Sequence, residues 1–508
     1  MEGNLAAELA DRAYARRWLD RPLYYSDDAV FSHGEVHDAG ARAAGVLQAA
    51  GVHAGDRVLI ALPDSIGFVA AFLGTLRLGA VAVLAGPEQS RAEHASMVAD
   101  AAPVAAVCTT GLAARFTSAC VLTEDDLAAG AGATPEPVLV PSDASAYVQY
   151  TSGTTGRPKG AVHRHSDAHA YFQAMAVGAL GITSGDITFS LSKACYPLGL
   201  GATVLFPMLS GGAAVLWPDA PSVRGAVRQA RRRRPTLLFT CPTWYARLVG
   251  EPHRNAVRTA FGSLRAAASA GEPLLPTLAD RIEDVLGCPV LDGLGSTEVG
   301  HTFISNTVDR RRRGVLGVVL DPYEIEVRAE NGPTCPAEPG ALYVRGPSVM
   351  KKYLGRPDET AEVLSPDGWL RTGDLVRVDA EGFVHHHGRI LDRVTVAGEE
   401  VLPLEVERVL GRHPAVVEVA VIAVGGPVPG RGLRAFAVVE GESPAADALE
   451  RELLDLARAE LPPHKVPDSV TFLDELPRTS TGKIRRGVLA VPSSRPAPST
   501  RPASRRPG

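Results

Sequence analysis

Short apolar runs rich in β-branched residues recur along much of the chain: Arg57 to Leu62, Ala80 to Leu84, Ala105 to Cys108, Ala213 to Trp217 and Thr236 to Thr240. Each has the length of a buried strand, and helical stretches separate them, which predicts parallel α/β layers. The most apolar segment, Ile66 to Gly86, is broken by Arg77 and by glycines at 67, 74 and 79. It reads as a buried helix, a turn and a strand, with no membrane span. From Gly314 the spacing shortens. YEIEVRAENG, GALYVRGPSV and GWLRTGDLVRVDAEGFV alternate with Gly and Pro turns, the pattern of antiparallel strands or a small β-barrel.

Beyond His387-Gly388-Arg389 the pattern changes again. A helix from Pro403 to Arg412, strands from Val416 to Val424 and Arg434 to Val439, and a helix from Ala445 to Glu460 predict a separate small α+β domain. The closing VPSSRPAPSTRPASRRPG has no acidic residue and reads as a disordered tail. The expected organisation is therefore an α/β protein: a large N-terminal domain over 1–388, a small C-terminal domain over 389–490 and a tail over 491–508. No internal repeat is visible.

Composition narrows the function classes. The length of 508 residues calls for more than one core, and 45% hydrophobic with 21% charged residues excludes disorder and a disulfide scaffold. A net charge of -5 makes nucleic acid a poor partner. The six cysteines (108, 120, 195, 241, 288, 335) form no C-x-x-C pair and read as reduced interior residues of a cytoplasmic protein. The N-terminal stretch is amphipathic and charged, unlike a signal peptide. Only six lysines (159, 193, 351, 352, 465, 483) stand against 46 arginines. Each lysine is thus a candidate for work that a compact ammonium does and a planar guanidinium does not.

Two of those lysines fall in glycine-rich, hydroxyl-rich loops. In Y-T-S-G-T-T-G-R-P-K-G (150–160) three glycines let the backbone approach a polyanion, while Thr151, Ser152, Thr154 and Thr155 offer donors and Lys159 a mobile charge. This is a phosphate cradle. It is not the Walker loop, which requires a hydroxyl after the Lys where Gly160 stands. Lys483 lies in P-R-T-S-T-G-K (477–483).

These loops resemble motifs of the adenylate-forming enzymes, the superfamily of acyl- and aryl-CoA ligases, peptide-synthetase adenylation domains and luciferases. The remaining motifs occur in the family's order from about residue 20 to 490. The resemblance implies that Thr151, Ser152, Gly153, Thr154, Thr155, Gly156 and Lys159 hold the phosphates of ATP. It implies that Thr297 meets the α-phosphate and Glu298 holds Mg²⁺, that Asp374 and Arg389 grip the ribose, and that adenine stacks near Leu291, Asp292, Gly293, Leu294 and Gly295. Lys483 would be the catalytic cation of acyl-AMP formation, with CoA the thiol acceptor.

SLSKACYPLGLG (190–201) and GSTEVGHTFISN (295–306) are similar to the benzoate-CoA ligase branch. That likeness implies that Tyr196 gates the acid site and that Pro197, Leu198, Gly199, Ala270, Gly271, Gly300 and His301 line it. The small residues suit an aryl, alicyclic or other bulky apolar acid. Gly300, where a larger aliphatic residue is expected, implies extra room that Gly300→Leu would close. His301 also reads as a satisfied core histidine.

One position departs from the family. The residue two after Gly388-Arg389, usually Asp or Lys at the pivot of the small domain, is Leu391. Thioester formation is thereby less secure than adenylation, although Val396-Ala397-Gly398 resembles the loop that serves the thiol step. An acyl-AMP ligase that delivers its adenylate to a carrier protein or partner enzyme is the alternative; a nucleotide-binding partner without catalysis is a third reading, opposed by the intact Glu298 and Lys483. His385, His386 and His387 read as structural, because neighbours on a strand face opposite ways. Arg231 to Arg234 and Arg310 to Arg313 read as solvated charges.

Overall fold

The structure, a computed structural model, describes residues 2–27, 29–116, 119–130, 133–151, 158–250, 252–329, 338–424, 432–440, 446–478 and 484–490. Two large mixed sheets form its body. The first orders its strands Lys352–Tyr353, Lys159–Arg164, Ser145–Thr151, Val81–Leu84, Arg57–Ala61, Ala105–Cys108 and Cys120–Thr123. From Ser145–Thr151 onward the pairing is parallel; Lys159–Arg164 returns antiparallel beside it. The second, nine-stranded sheet has at its centre the parallel strands Val290–Gly295, Ala266–Ala270, Leu237–Thr240, Ile187–Ser190 and Ala213–Val215. Strands covered on both faces must be apolar throughout, which is why Val81–Leu84 and Ala105–Cys108 are continuous runs with every residue buried.

One apolar cluster joins the facing sides of the sheets: Ile60, Leu84 and Tyr147 from the first, Phe239, Ala268 and Leu291 from the second. Helix Ile66–Arg77, capped by the Ser65 hydroxyl on the Phe68 N–H, is buried nearly all round. At Gly74 it crosses helix His33–Ala49 so closely that a Cβ would fall 2.7 Å from the Ala44 nitrogen. Wide π-helical turns interrupt the helical stretches at Phe172–Ala179 and Leu200–Leu205, and both face this cluster.

The segment expected to be antiparallel strands or a barrel is a four-stranded antiparallel sheet ordered Glu324–Arg328, Gly340–Arg345, Leu370–Val378, Val384–Arg389. After it come the short helical turn Ile390–Asp392, the hairpin Val394–Val396 and Glu399–Val401, and a three-stranded sheet, Val416–Val424, Gly432–Val439 and Ser469–Phe472. Helices Pro403–Leu410 and Ala446–Glu460 cover that sheet. A second apolar cluster runs from Leu248, Val285 and Val290 of the large body into Val401, Val406, Leu433 and Leu453, so the small unit is packed on the large one.

The α/β class and the order of elements agree with the sequence reading; the hairpin and the strand Ser469–Phe472 escaped it. Cys108, Cys195 and Cys288 are buried as expected, but Cys120 is exposed because it opens an edge strand, and Cys335 lies outside the described residues. Among the described residues no helix is long and apolar enough to cross a membrane. The tail from 491 lies outside the described residues.

Candidate active site

Strands Leu237–Thr240, Ala266–Ala270 and Val290–Gly295 run side by side and end together, which places Ala270, Gly271 and the stretch 292–297 along one sheet edge. Crevices beyond the carboxyl ends of parallel strands are where such sheets bind ligands. The glycines of D-G-L-G have a local cause. The returning strand Thr302–Ser305 lies so close that a Cβ at Gly293 would stand 2.8 Å from the Ile304 carbonyl, and one at Gly295 2.8 Å from that of His301. Burial pushes the Asp292 carboxyl well above the ordinary range, opposed by Arg408 from the small unit and by the Gly293 N–H.

Beyond this edge the structure gathers four of the sequence motifs into one charged cluster. The Tyr353 hydroxyl donates to Glu298 Oε1 at 2.7 Å, and the Lys159 ammonium lies 5.2 Å from the centre of the Tyr353 ring. Lys159 pairs with Glu359 at 2.6 Å, and Arg356 links Glu359 (3.0 Å) to Asp100 (3.1 Å). On the other side Arg389 lies 3.3 Å from Asp374 Oδ1. Asp374 holds the Arg389 guanidinium above its ordinary range, and Glu298 adds to that hold against the effect of burial. Asp374 is 2% exposed. Burial pushes its carboxyl up, but Arg389 and a hydrogen bond from His386 together keep it below the usual carboxylate range.

His386 corrects the sequence reading. The triple histidine is indeed a strand whose neighbours face opposite ways: His385 Nε2 lies 2.9 Å from Asp379, whereas His386 Nε2 lies 3.2 Å from Asp374 Oδ1. Pairing in the ladder shifts between Leu375 and Val376, which lets both Arg389 and His386 reach the same carboxylate. His163 also escaped the sequence reading. Its Nε2 donates to the Thr297 carbonyl at 2.8 Å, its Nδ1 lies 3.1 Å from Asp167, and its ring stacks on Tyr147. It therefore fixes the backbone just before Glu298. Arg311, Arg312 and Arg313, read as solvated, are surface charges in the structure that also pair with Glu283, Asp379 and Asp280.

Thr151 ends its strand and is half-buried. Ser152, Gly153, Thr154, Thr155, Gly156 and Lys483 lie outside the described residues, but both flanks of the Lys483 loop are described. Arg478 bridges to Ile484, and the Arg485 N–H donates to the Pro477 carbonyl at 2.8 Å. Arg478 then pairs at 3.2 Å with Glu272, the residue that follows Gly271. The loop thus starts and ends at the sheet edge described above.

On the expected acid side, Tyr196, Pro197 and Gly199 open a tight helical turn; a Cβ at Gly199 would lie 2.0 Å from the Lys193 carbonyl. His301 is 2% exposed, stacks on Tyr171 and touches Phe206, and a Cβ at Gly201 would meet its ring at 2.5 Å. Burial pushes its imidazole down to about 3, so it is neutral. Gly271 has φ +94 and open space on its Cβ side. Gly300 does not open room for a bulkier acid. Its φ is +84, and a Cβ there would meet His163 at 3.2 Å and Tyr171 at 3.3 Å, inside the buried aromatic cluster. Leu391 is 72% exposed. Among the described residues no group of three or more His, Cys, Asp or Glu is arranged to hold a metal ion. Glu298 is a carboxylate with an oxygen to offer a metal: Tyr353 holds Oε1, and Oε2 accepts no hydrogen bond from the described residues.

The AMP-binding enzyme model matches residues 11–354, and the AMP-binding enzyme C-terminal domain model matches residues 405–483. The chain belongs to the adenylate-forming AMP-binding enzyme family. It is 40% identical to p-hydroxybenzoic acid–AMP ligase FadD22 of Mycobacterium tuberculosis (strain ATCC 25618 / H37Rv) over 96% of this chain and 68% of that protein. It is 32% identical to benzoate–CoA ligase of Thauera aromatica over 96% of this chain and 95% of that one. The solved structure of a benzoate CoA ligase from Burkholderia xenovorans LB400 superimposes with a TM-score of 0.87 at 31% identity, covering 96% of this chain and all of that one. That of the anthranilate CoA ligase AuaEII, in complex with anthranoyl-AMP, gives 0.90 at 28% identity, covering 96% of each chain.

Gly300→Leu combines a left-handed backbone with a side chain driven into His163 and Tyr171. It should lower unfolding stability by about 2 kcal/mol or more without narrowing the acids accepted by the folded fraction. Denaturant unfolding beside activity on acids of graded ring size checks both halves.

Proposed function

We propose that the chain is an AMP-forming acid–thiol ligase: an aromatic, alicyclic or other bulky apolar carboxylic acid reacts with ATP to give acyl-AMP and pyrophosphate, and the thiol of CoA then displaces AMP. The observation that carries this reading is the convergence of Lys159, Glu298, Asp374 and Arg389 in one cluster, linked through Tyr353 and the Arg389 field.

Each part has a physical role. The acid's carboxylate oxygen attacks the α-phosphorus and pyrophosphate leaves, so two anions must meet. Thr151 to Gly156 and Lys159 would hold the phosphates, with Glu359 keeping Lys159 in place until they arrive. Asp374, held ionised by Arg389 and His386, would accept from the ribose hydroxyls. Asp292, Gly293, Leu294 and Gly295 would border the adenine, and Thr297 the α-phosphate. Lys483 would place its ammonium on the oxygens that change charge. Glu298 would hold Mg²⁺, which neutralises phosphate charge. Tyr196, Pro197, Gly199, Ala270, Gly271 and His301 would border the acid; neutral His301 contributes a dipole and no net charge there. Cation supply is thus divided between a large domain over 1–388 and a small one over 389–490, and the enzyme would work in the cytoplasm.

A second reading has a specific observation behind it. The relative at 40% identity is named an acid–AMP ligase, whereas the CoA ligases stand near 32%. With Leu391 at the proposed pivot, this favours delivery of the adenylate to a carrier protein or partner enzyme.

Pyrophosphate release with benzoate, 4-hydroxybenzoate, anthranilate and cyclohexanecarboxylate, with and without CoA, tests the proposal. At least one acid should give pyrophosphate, and Lys483→Ala should slow that step on the order of a hundredfold or more. Release with none of a wider acid panel would defeat the reading. Acyl-CoA in the product separates CoA ligation from adenylate delivery.

Tyr353→Phe removes the hydrogen bond that orients Glu298. It should raise the Mg²⁺ concentration for half-maximal adenylation roughly tenfold. A Mg²⁺ titration at saturating ATP reads this out, and an unshifted midpoint would remove Tyr353 from the metal's support.

A further inference from the structure

We infer that Glu272, through Arg478, is the positioning residue that docks the base of the segment carrying Lys483, at Arg478 and Ile484, against the large body. Glu272 follows the strand end Ala270–Gly271 and is anchored in the large body: its Oε2 accepts from the Thr243 N–H (3.1 Å) and hydroxyl (2.6 Å). Its other oxygen faces Arg478 at 3.2 Å, and the second guanidinium nitrogen of Arg478 lies 2.8 Å from Glu418 on the small unit's strand Val416–Val424. Arg478, Glu272 and Glu418 are 12%, 9% and 15% exposed. Among the described residues the other charge pairs between the two units are more open to solvent: Arg281–Glu440 is 20% and 23% exposed, Arg254–Glu440 31% and 23%, and Arg247–Glu475 45% and 77%.

Placement makes this triad more than an interface contact. Arg478 is the residue whose backbone bridges to Ile484, closing the loop that carries Lys483. Any shift of Arg478 relative to Glu272 is therefore passed to the loop's base. The triad is also asymmetric. If the small unit moves away, Arg478 keeps Glu418, which travels with it, and Glu272 keeps Thr243. Each group keeps one partner, so the catch can open, yet only in the docked arrangement does one guanidinium face both carboxylates. Burial raises the Glu272 carboxyl, and Arg478 opposes that rise, so Glu272 depends on the docked cation for its charge.

This inference rests on the proposed ligase reaction, and its test separates the two. Acyl-AMP formation is followed with ATP and 4-hydroxybenzoate or benzoate, and consumption of presynthesised acyl-AMP is followed separately with CoA. Glu272→Gln and Arg478→Met should each slow formation on the order of a hundredfold, leave KM for ATP within a few-fold, and leave consumption of supplied acyl-AMP unchanged. Arg478→Lys should recover part of the loss, and the double variant should be no slower than the slower single one. Equal loss in both half-reactions, or losses that multiply in the double variant, would overturn the inference. If the wild-type chain forms no acyl-AMP, the ligase reading fails on its own. The catch is still scored by hydrogen exchange over residues 469–490, which should quicken in Glu272→Gln; exchange unchanged there would overturn it as well.

Discussion

A carboxylate reaches a phosphorus ringed by negative oxygens only where cations are already held in place, and a flexible cation is of use only if something fixes it beforehand. Among the described residues three cations are held by carboxylates: Lys159 by Glu359, Arg389 by Asp374, and Arg478 by Glu272 and Glu418. The fold distributes these pairs so that no single element carries the whole charge. The first sheet contributes Lys159, the four-stranded sheet Asp374 and Arg389, and the small unit Arg478. Neutral groups, the Tyr353 hydroxyl and the Thr243 hydroxyl, complete the hydrogen bonding without adding charge. Such an arrangement is preorganised: the polar groups stand in position before the reacting anions arrive.

What the sequence made legible follows from how local the cause is. Glycines at 293 and 295 are demanded by a strand that returns within a few residues, so the motif D-G-L-G-S-T-E is visible in the linear chain. The buried strands are visible because both faces are covered and no polar residue interrupts them. Groups whose role comes from register or from distant contact were hidden. His386 meets Asp374 only because the ladder shifts by a bulge, and a run of three histidines gives no hint of which one faces inward. Tyr353 belongs to a two-residue edge strand far in sequence from Glu298. Glu272 and Arg478 are separated by most of the second half of the chain. Gly300 was misread for a related reason: a missing side chain looks like added room, whereas its positive φ and the nearness of His163 and Tyr171 show a backbone constraint.

The surroundings of His301, on the expected acid side, are set by packing more than by charge. His301 sits among Tyr171, Phe206 and Gly201, and burial leaves its ring neutral, so it brings shape and a dipole to that wall. The π-helical turns at Phe172–Ala179 and Leu200–Leu205 belong to the same cluster.

The proposed pivot is where these constraints meet. Docking of the small unit is favoured by the shared apolar cluster that joins Val285 and Val290 to Val401 and Val406, and by the catch at Arg478. Against them stands Leu391, exposed in this arrangement. Burying a leucine side chain is worth roughly 1.5–3 kcal/mol, so any rotation that covers it is favoured by that much, a pull that the Asp or Lys usual at this position would not supply. The hairpin turn at Ala397–Gly398, both residues in left-handed backbone and exposed here, lies on the same unit and would be carried along. The docked arrangement therefore rests on the shared apolar cluster and on the Arg478 pairs, and it leaves Leu391 exposed.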